Sequence, residues 1–276
     1  MKRLLCVAML AACSSKSANE PPAAITPAVP AHQTIKVAVI GGMMETGFWP
    51  ELIARFERAT GHEVQLASTG PKPLVVDAFK KGGIDLITVH ASDAMINLVA
   101  DGLARDPQPW LRNDLIIVGP AADPAHIKGE ADAQKAIAAI ISAKAPLLVH
   151  ATMGADGVLH DLVEDGKLHL DPTATIRFTG ENQHEVLAEA ARLGAYTMIG
   201  RIPFITKKLH ADGIELMVRG DPRLRRPYLV EIAVNANPAA QVLADYLRSP
   251  ETQAWIASYG VGKYDDGPLF FPVVVK

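Results

Sequence analysis

The sequence predicts an α/β fold in two lobes, and three observations carry that prediction. From residue 34 onward, short runs of Val, Ile and Leu alternate with stretches whose apolar residues recur at helical spacing. Glycines stand at the ends of these segments, as in Gly41-Gly42, Gly61 and Gly82-Gly83. After Gly119-Pro120 the alternation begins a second time, with no internal repeat. Strand, helix, strand in this rhythm is the pattern of a largely parallel sheet with helices on its faces.

The elements follow in order. Residues 35–40 read as a strand stopped by Gly41-Gly42, and Phe48, Leu52, Ile53 and Phe56 set a helix over 48–60, with Gly61 at its C-terminal cap. Residues 62–67 form the next strand, 73–81 a helix, 84–89 a third strand, and 93–100 a helix behind Ser92 as N-cap. In the second half the strands are predicted at 115–118, 146–149, 176–178, 196–199 and 229–234. Helices are predicted at 131–142, 154–164, 184–193, 239–248 and 250–259.

Composition narrows the function classes. The chain has 276 residues, 49% of them hydrophobic and 21% charged, with a formal net charge of −3. That is enough to bury full cores, and it excludes disordered and collagen-like chains. No apolar run approaches the roughly 20 residues of a membrane span. The mildly acidic balance gives no reason to expect nucleic acid as a partner.

Both cysteines, Cys6 and Cys13, lie near the start. Met1-Lys2-Arg3, the apolar stretch to residue 12 and Leu10-Ala11-Ala12-Cys13 resemble a bacterial lipoprotein signal. The resemblance implies a signal peptide over 1–12, an acylated Cys13 as membrane anchor and a periplasmic location. Ser14 tilts the anchor toward the outer membrane. Residues 13–33, rich in Ser, Ala and Pro, read as a tether. The body then has no thiol, which excludes cysteine catalysis and cysteine metal sites.

Ligands of open α/β sheets sit beyond the carboxyl ends of the strands. The candidate loops are therefore 41–45, 68–72, 90–93 and 151–156.

Several stretches carry a family resemblance across most of the body. They include Glu45-Thr46-Gly47, Ile84-Asp85-Leu86-Ile87-Thr88-Val89-His90-Ala91, Asn113-Asp114-Leu115-Ile116-Ile117-Val118-Gly119-Pro120, Gly220-Asp221-Pro222 and Leu269-Phe270-Phe271-Pro272. The chain resembles the extracellular substrate-binding proteins of ABC importers, most closely the tungstate-binding family. The resemblance implies a type II periplasmic-binding-protein fold, two mixed-sheet lobes that close on a ligand in the cleft. Lobe 1 is expected over 34–119 and 229–276 and lobe 2 over 120–228, with crossovers near Val118-Gly119-Pro120 and Tyr228-Leu229.

The sequence departs from that family in its ligand loops. Where the family has a run of hydroxyl residues, this chain has Gly41-Gly42-Met43-Met44. Where the family has a Ser-Arg pair, this chain has His150-Ala151-Thr152-Met153-Gly154-Ala155-Asp156, without arginine. Loss of charge-assisted donors argues against tungstate. The first reading is therefore an organic ligand with apolar surface, lipid-like (for example a sterol or hopanoid), handed to a membrane transporter or another periplasmic carrier. The expected ligand-binding residues are Gly41, Gly42, Met43, Met44, Glu45, Thr69, His90, Thr152, Met153, Asn182 and Arg201.

Two alternatives stand beside it. One is an oxyanion, tungstate or molybdate. The other is a soft metal such as copper, held by Met43, Met44, His90, Met95, His150, Met153 and His160. No catalytic motif is present, so no enzyme, cofactor or resident metal is expected, and the chain reads as a monomer. The basic run Arg219, Arg223, Arg225 and Arg226 reads as a solvated surface turn.

Overall fold

The computed structural model describes residues 32–150, 154–180, 182–264 and 266–274. The expected signal, the Cys13 anchor, most of the tether, and Thr152 and Met153 lie outside the described residues.

Lobe 1 opens with β1 (Thr34–Ile40), α1 (Gly41–Glu45), α2 (Phe48–Thr60), β2 (Glu63–Gly70), α3 (Lys72–Lys80), β3 (Leu86–His90) and α4 (Asp93–Ala100). The long strand β4 (Ala104–Pro120) leads to α5 (Ala133–Ser142), β5 (Leu147–His150), α6 (Gly154–Asp165), β6 (Thr175–Phe178), α7 (Gln183–Leu193), β7 (Tyr196–Gly200), α8 (Arg201–Ile205) and β8 (Ile214–Val218). Then β9 (Arg225–Ala233), α9 (Ala239–Arg248), α10 (Pro250–Ile256) and β10 (Phe271–Pro272) complete the body.

The strands follow the order β2-β1-β3-β9-β4-β7-β5-β6, with β8 and β10 also pairing with β4. In the first half, β2, β1 and β3 are parallel, and β9 runs antiparallel between β3 and β4. In the second, β6, β5 and β7 are parallel, and β4 is antiparallel to β7 and β8. β4 belongs to both sheets. Up to Asp114 it pairs with β9, and from Leu115 it pairs with β7 and β8.

Each sheet is covered on both faces. Phe48, Trp49, Leu52, Ile53 and Phe56 are the buried face of α2, and Gly61 caps that helix at φ 75°. They join β1, α9 and α10 in one cluster, while α3 and α4 pack Val75, Phe79, Met95 and Leu98 on the opposite face. The scarce aromatic residues concentrate in the first cluster: the Phe48 ring lies 4.3 Å from Phe270, 5.1 Å from Tyr259 and 5.2 Å from Trp255. In the second half, α5 and α6 cover one face and α7 the other.

Six elements depart from the sequence expectation. β4 begins eleven residues before the expected Leu115, because the ladder absorbs Asp106, Pro107 and Trp110 in register shifts between Arg105 and Gln108 and between Pro109 and Leu111. β9 begins at Arg225 rather than Leu229, and its basic residues are part of a central strand. The segment after β1 is a helical turn rather than a loop, and α8, β8 and β10 were not anticipated. The strand exchange falls between Asp114 and Leu115 and between Val218 and Arg225, each a few residues before the expected crossovers.

Candidate functional site

Parallel strands from both sheets end on one cavity. Ile40, Gly70 and His90 close β1, β2 and β3, and Gly200 closes β7. A cavity of about 480 Å³ lies among these ends, the first residues of α7 and α8, and Asn113, Arg226 and Tyr228 from the β4–β9 ladder. Its position beyond the carboxyl ends of the strands is where open α/β sheets place their ligands.

The walls are held by specific contacts. Gly41 and Gly70 pass so closely that a Cβ on Gly41 would stand 3.4 Å from Gly70 Cα. The Thr46 hydroxyl donates to Gly42 O at 3.0 Å, and Tyr259 Oη donates to Thr46 O at 3.1 Å, which fixes α1. On the opposite wall, Asn182 Oδ1 accepts from the His184 and Glu185 amides and caps α7. Gly200 N donates to Gln183 Oε1 at 2.8 Å and ties that cap to the end of β7. Across the mouth, Lys208 Nζ pairs with Glu45 Oε2 at 2.8 Å.

Arg226 dominates the electrostatics. It stands opposite Asn113 in the β4–β9 ladder, and its Nη2 lies 3.4 Å from His90 Nε2. A guanidinium can only donate, so this contact selects the neutral imidazole with its proton on Nδ1. Arg226 also packs on lobe 2, since a Cβ on Gly154, the first residue of α6, would stand 3.0 Å from its Nη1. Among the described residues no carboxylate forms an ion pair with Arg226, and its Nε is sealed from solvent with no hydrogen-bond partner. Burial draws the Arg226 pKa below its ordinary value, yet an arginine stays charged.

Neighbouring groups share this environment. The His90 ring lies 4.1 Å from Tyr228, and burial first, then Arg226 and Lys72, hold the His90 pKa well below 6.5. Lys72 is also lowered, by burial and by Arg226, with Asp93 opposing. Asn113 is buried and its Oδ1 lacks a partner. Its amide can be turned to offer N–H₂ to a ligand. An arginine outside any ion pair, its orphaned Nε–H and the nearby Lys72 favour negative charge in this region.

Of the residues expected from sequence, Gly41, Gly42, Glu45, His90 and Asn182 line the cavity. Met43 does not, because the helical turn of α1 rotates it fully into the lobe 1 core, and Met44 packs against the same cluster. Thr69 is exposed on β2 outside the lining. Arg201 is buried away from the cavity, its Nε donating to Asp114 Oδ1 at 2.7 Å. Asn113, Arg226, Tyr228, Ile202 and Lys208 were missed. The run that contains Arg226 divides its tasks: Arg223 pairs with Asp221 and Asp132, Arg225 lies over the Phe271 ring at 4.0 Å, and only Arg226 turns inward. Period-two spacing of Arg226 and Tyr228 was the available signal.

The groups proposed for copper are dispersed. Met43 and Met95 lie in different cores, His150 Nε2 contacts Gly180 O at 2.6 Å, and His160 faces Glu164 on exposed α6. Among the described residues, no three His, Cys, Asp or Glu side chains gather as a metal site.

Comparison with known proteins is consistent with this geometry. The profile of the bacterial extracellular solute-binding protein family matches residues 35–262. The tungstate-binding protein TupA of Peptoclostridium acidaminophilum is 29% identical over 294 residues, covering 100% of both chains. A Haloferax volcanii protein described as an ABC transporter anion-binding protein is 29% identical over 255 residues, 87% of this chain and 72% of its own. Among solved structures, the tungstate-binding TupA of Desulfovibrio alaskensis G20 superposes with a TM-score of 0.71 at 22% identity, over 88% of this chain and 100% of that one. A tungstate ABC transporter structure from Geobacter sulfurreducens gives 0.65 at 22% identity, over 82% and 98%. These likenesses identify the fold as the two-lobe type II periplasmic-binding-protein class.

Proposed function

Because the chain belongs to the bacterial extracellular solute-binding proteins, we propose that it captures an oxyanion between its lobes and delivers it to a membrane transporter. The observation that carries this reading is Arg226, placed at the cavity without a carboxylate partner and touching the first residue of α6. An anion bound there would satisfy the guanidinium.

The arginine missing from the loop of lobe 2 is thus replaced in kind by one from β9. A neutral lipid would leave that cation desolvated and unpaired, at a cost of several kcal/mol. The relatives named for anion and tungstate binding support the same choice. The lipid-like reading drew on Met43 and Met44, and both side chains belong to the core cluster.

Closure follows from the same contact. Arg226 sits on lobe 1 and α6 on lobe 2, so an anion between them favours the closed arrangement by the contacts it gains there. Lys208 and Glu45 bridge the mouth at 2.8 Å. The Leu10-Ala11-Ala12-Cys13 segment supports an acylated Cys13 as anchor. Cys13→Ala should then move the protein from the membrane to the soluble fraction.

Thermal unfolding in tungstate, molybdate and sulfate at constant ionic strength tests the ligand class. A ligand at a hundredfold excess over its Kd stabilises by about 2.7 kcal/mol, which raises Tm by several degrees. The reading fails if no anion raises Tm while a neutral sterol does.

A further inference from the structure

We infer that the captured anion is an organic one, with its oxyanion head on Arg226 and an apolar body along α1 and α8. The inference rests on the anion reading above and narrows it from a bare tetrahedral ion to a phosphonate- or sulfonate-type molecule.

The first support is space. The cavity measures about 480 Å³ with the Lys208–Glu45 pair already closed at 2.8 Å across its mouth. That falls within the ~300–1,000 Å³ of pockets that hold organic molecules, and a single inorganic ion would leave most of it to water. The second is the bareness of α1. Gly41 and Gly42 have no side chain to offer, Met43 is turned into the core, and the Thr46 hydroxyl is engaged with Gly42 O at 3.0 Å. A Cβ on Gly42 meets no atom within 4 Å, so this wall borders open space. The side chains of α1 offer no donor, and its one charged group, Glu45, is itself an anion.

The third is the separation of chemistry within the lining. His90, Asn113 and Arg226 are grouped in the β3–β9–β4 ladder, with His90 and Arg226 3.4 Å apart. Ile202 of α8 belongs to the same buried cluster as Met43 and brings apolar surface to the wall near α1, continued by Pro203 and Ile40. A cationic end and a wall of Ile40, Ile202 and Pro203, with Glu45, Thr206 and Lys208 beside it, can orient an amphipathic ligand.

Calorimetric titration of the folded protein with tungstate, methylphosphonate and phenylphosphonate tests the inference. Phenylphosphonate is expected to bind at least tenfold more tightly than methylphosphonate and than tungstate. Gly42→Leu, which grows into that space, should abolish the phenyl advantage. Arg226→Gln should weaken all three. Tungstate or methylphosphonate binding as tightly as phenylphosphonate overturns the organic ligand and leaves the anion reading standing. Absence of binding by every anion overturns both.

Discussion

Arg201 Nε donates to Asp114 Oδ1 at 2.7 Å in a buried pair located where β4 passes from one sheet to the other. Arg201 Nη2 also donates to Pro268 O at 2.7 Å and Leu269 O at 3.1 Å, so the first residue of α8 holds the segment leading to β10. Removing one partner of a buried ion pair leaves a desolvated charge and costs about 3–5 kcal/mol. Arg201→Met should therefore lower stability by that amount in urea unfolding, while the folded fraction keeps wild-type anion affinity. A loss of affinity without a loss of stability would return Arg201 to the ligand site.

Gly119 supplies a second structural test. A Cβ there would stand 2.2 Å from Cδ1 of the fully buried Tyr196. That ring has no room to withdraw, because its hydroxyl donates to Asp123 Oδ1 at 2.7 Å and accepts from Ala125 N at 2.9 Å. Gly119→Ala should destabilise the protein by roughly 3 kcal/mol, the upper end of ordinary overpacking. An unchanged urea midpoint would contradict the packing described.

Glu231 predicts a pH dependence of stability. It is fully buried in β9, neither carboxylate oxygen has a hydrogen-bond partner, and burial lifts its pKa to about 7. The folded state thus holds the proton more tightly than the unfolded chain. Its contribution is fully present below the unfolded pKa, near 4.5, and is lost as pH rises through 7. Glu231→Gln should flatten stability between these limits and exceed wild type at pH 8 by on the order of 3 kcal/mol. Equal pH profiles for the two proteins would show that Glu231 is solvated.

His90 predicts a pH dependence of binding. In the free protein burial, Arg226 and Lys72 keep it neutral, while Asn113 and Tyr228 complete its surroundings. An anion beside Arg226 favours the imidazolium and raises the His90 pKa. Binding should then take up protons, and affinity should rise as pH falls from 7.5 to 5.5. Calorimetry in buffers of different ionisation enthalpy measures this, and His90→Gln should remove it. Proton-independent binding by the wild type would rule out that role.

Much of the fold was legible because local pattern and tertiary packing agree. The helical spacing of Phe48, Leu52, Ile53 and Phe56 placed α2 with its observed bounds, and the strands β1, β3, β5 and β7 follow their aliphatic runs. The first part of β4 was hidden because Asp106, Pro107 and Pro109 break the alternation that its register shifts absorb. Strand pairing completes what the period-two spacing of Arg226 and Tyr228 only hints at: Asn113 opposite Arg226 and His90 opposite Tyr228 are distant in sequence. Met43 shows the reverse error, since a residue placed correctly next to the cleft was turned inward by one helical turn.

The central claim is that Arg226 anchors an anion, and titration of tungstate into wild type and Arg226→Gln tests it most directly. Loss of a buried, charge-paired contact costs about 2–5 kcal/mol, so the variant should bind at least about thirtyfold more weakly. Its thermal midpoint without ligand should not fall, because an unpaired buried cation has been removed. Equal tungstate affinity in the two proteins would contradict the account.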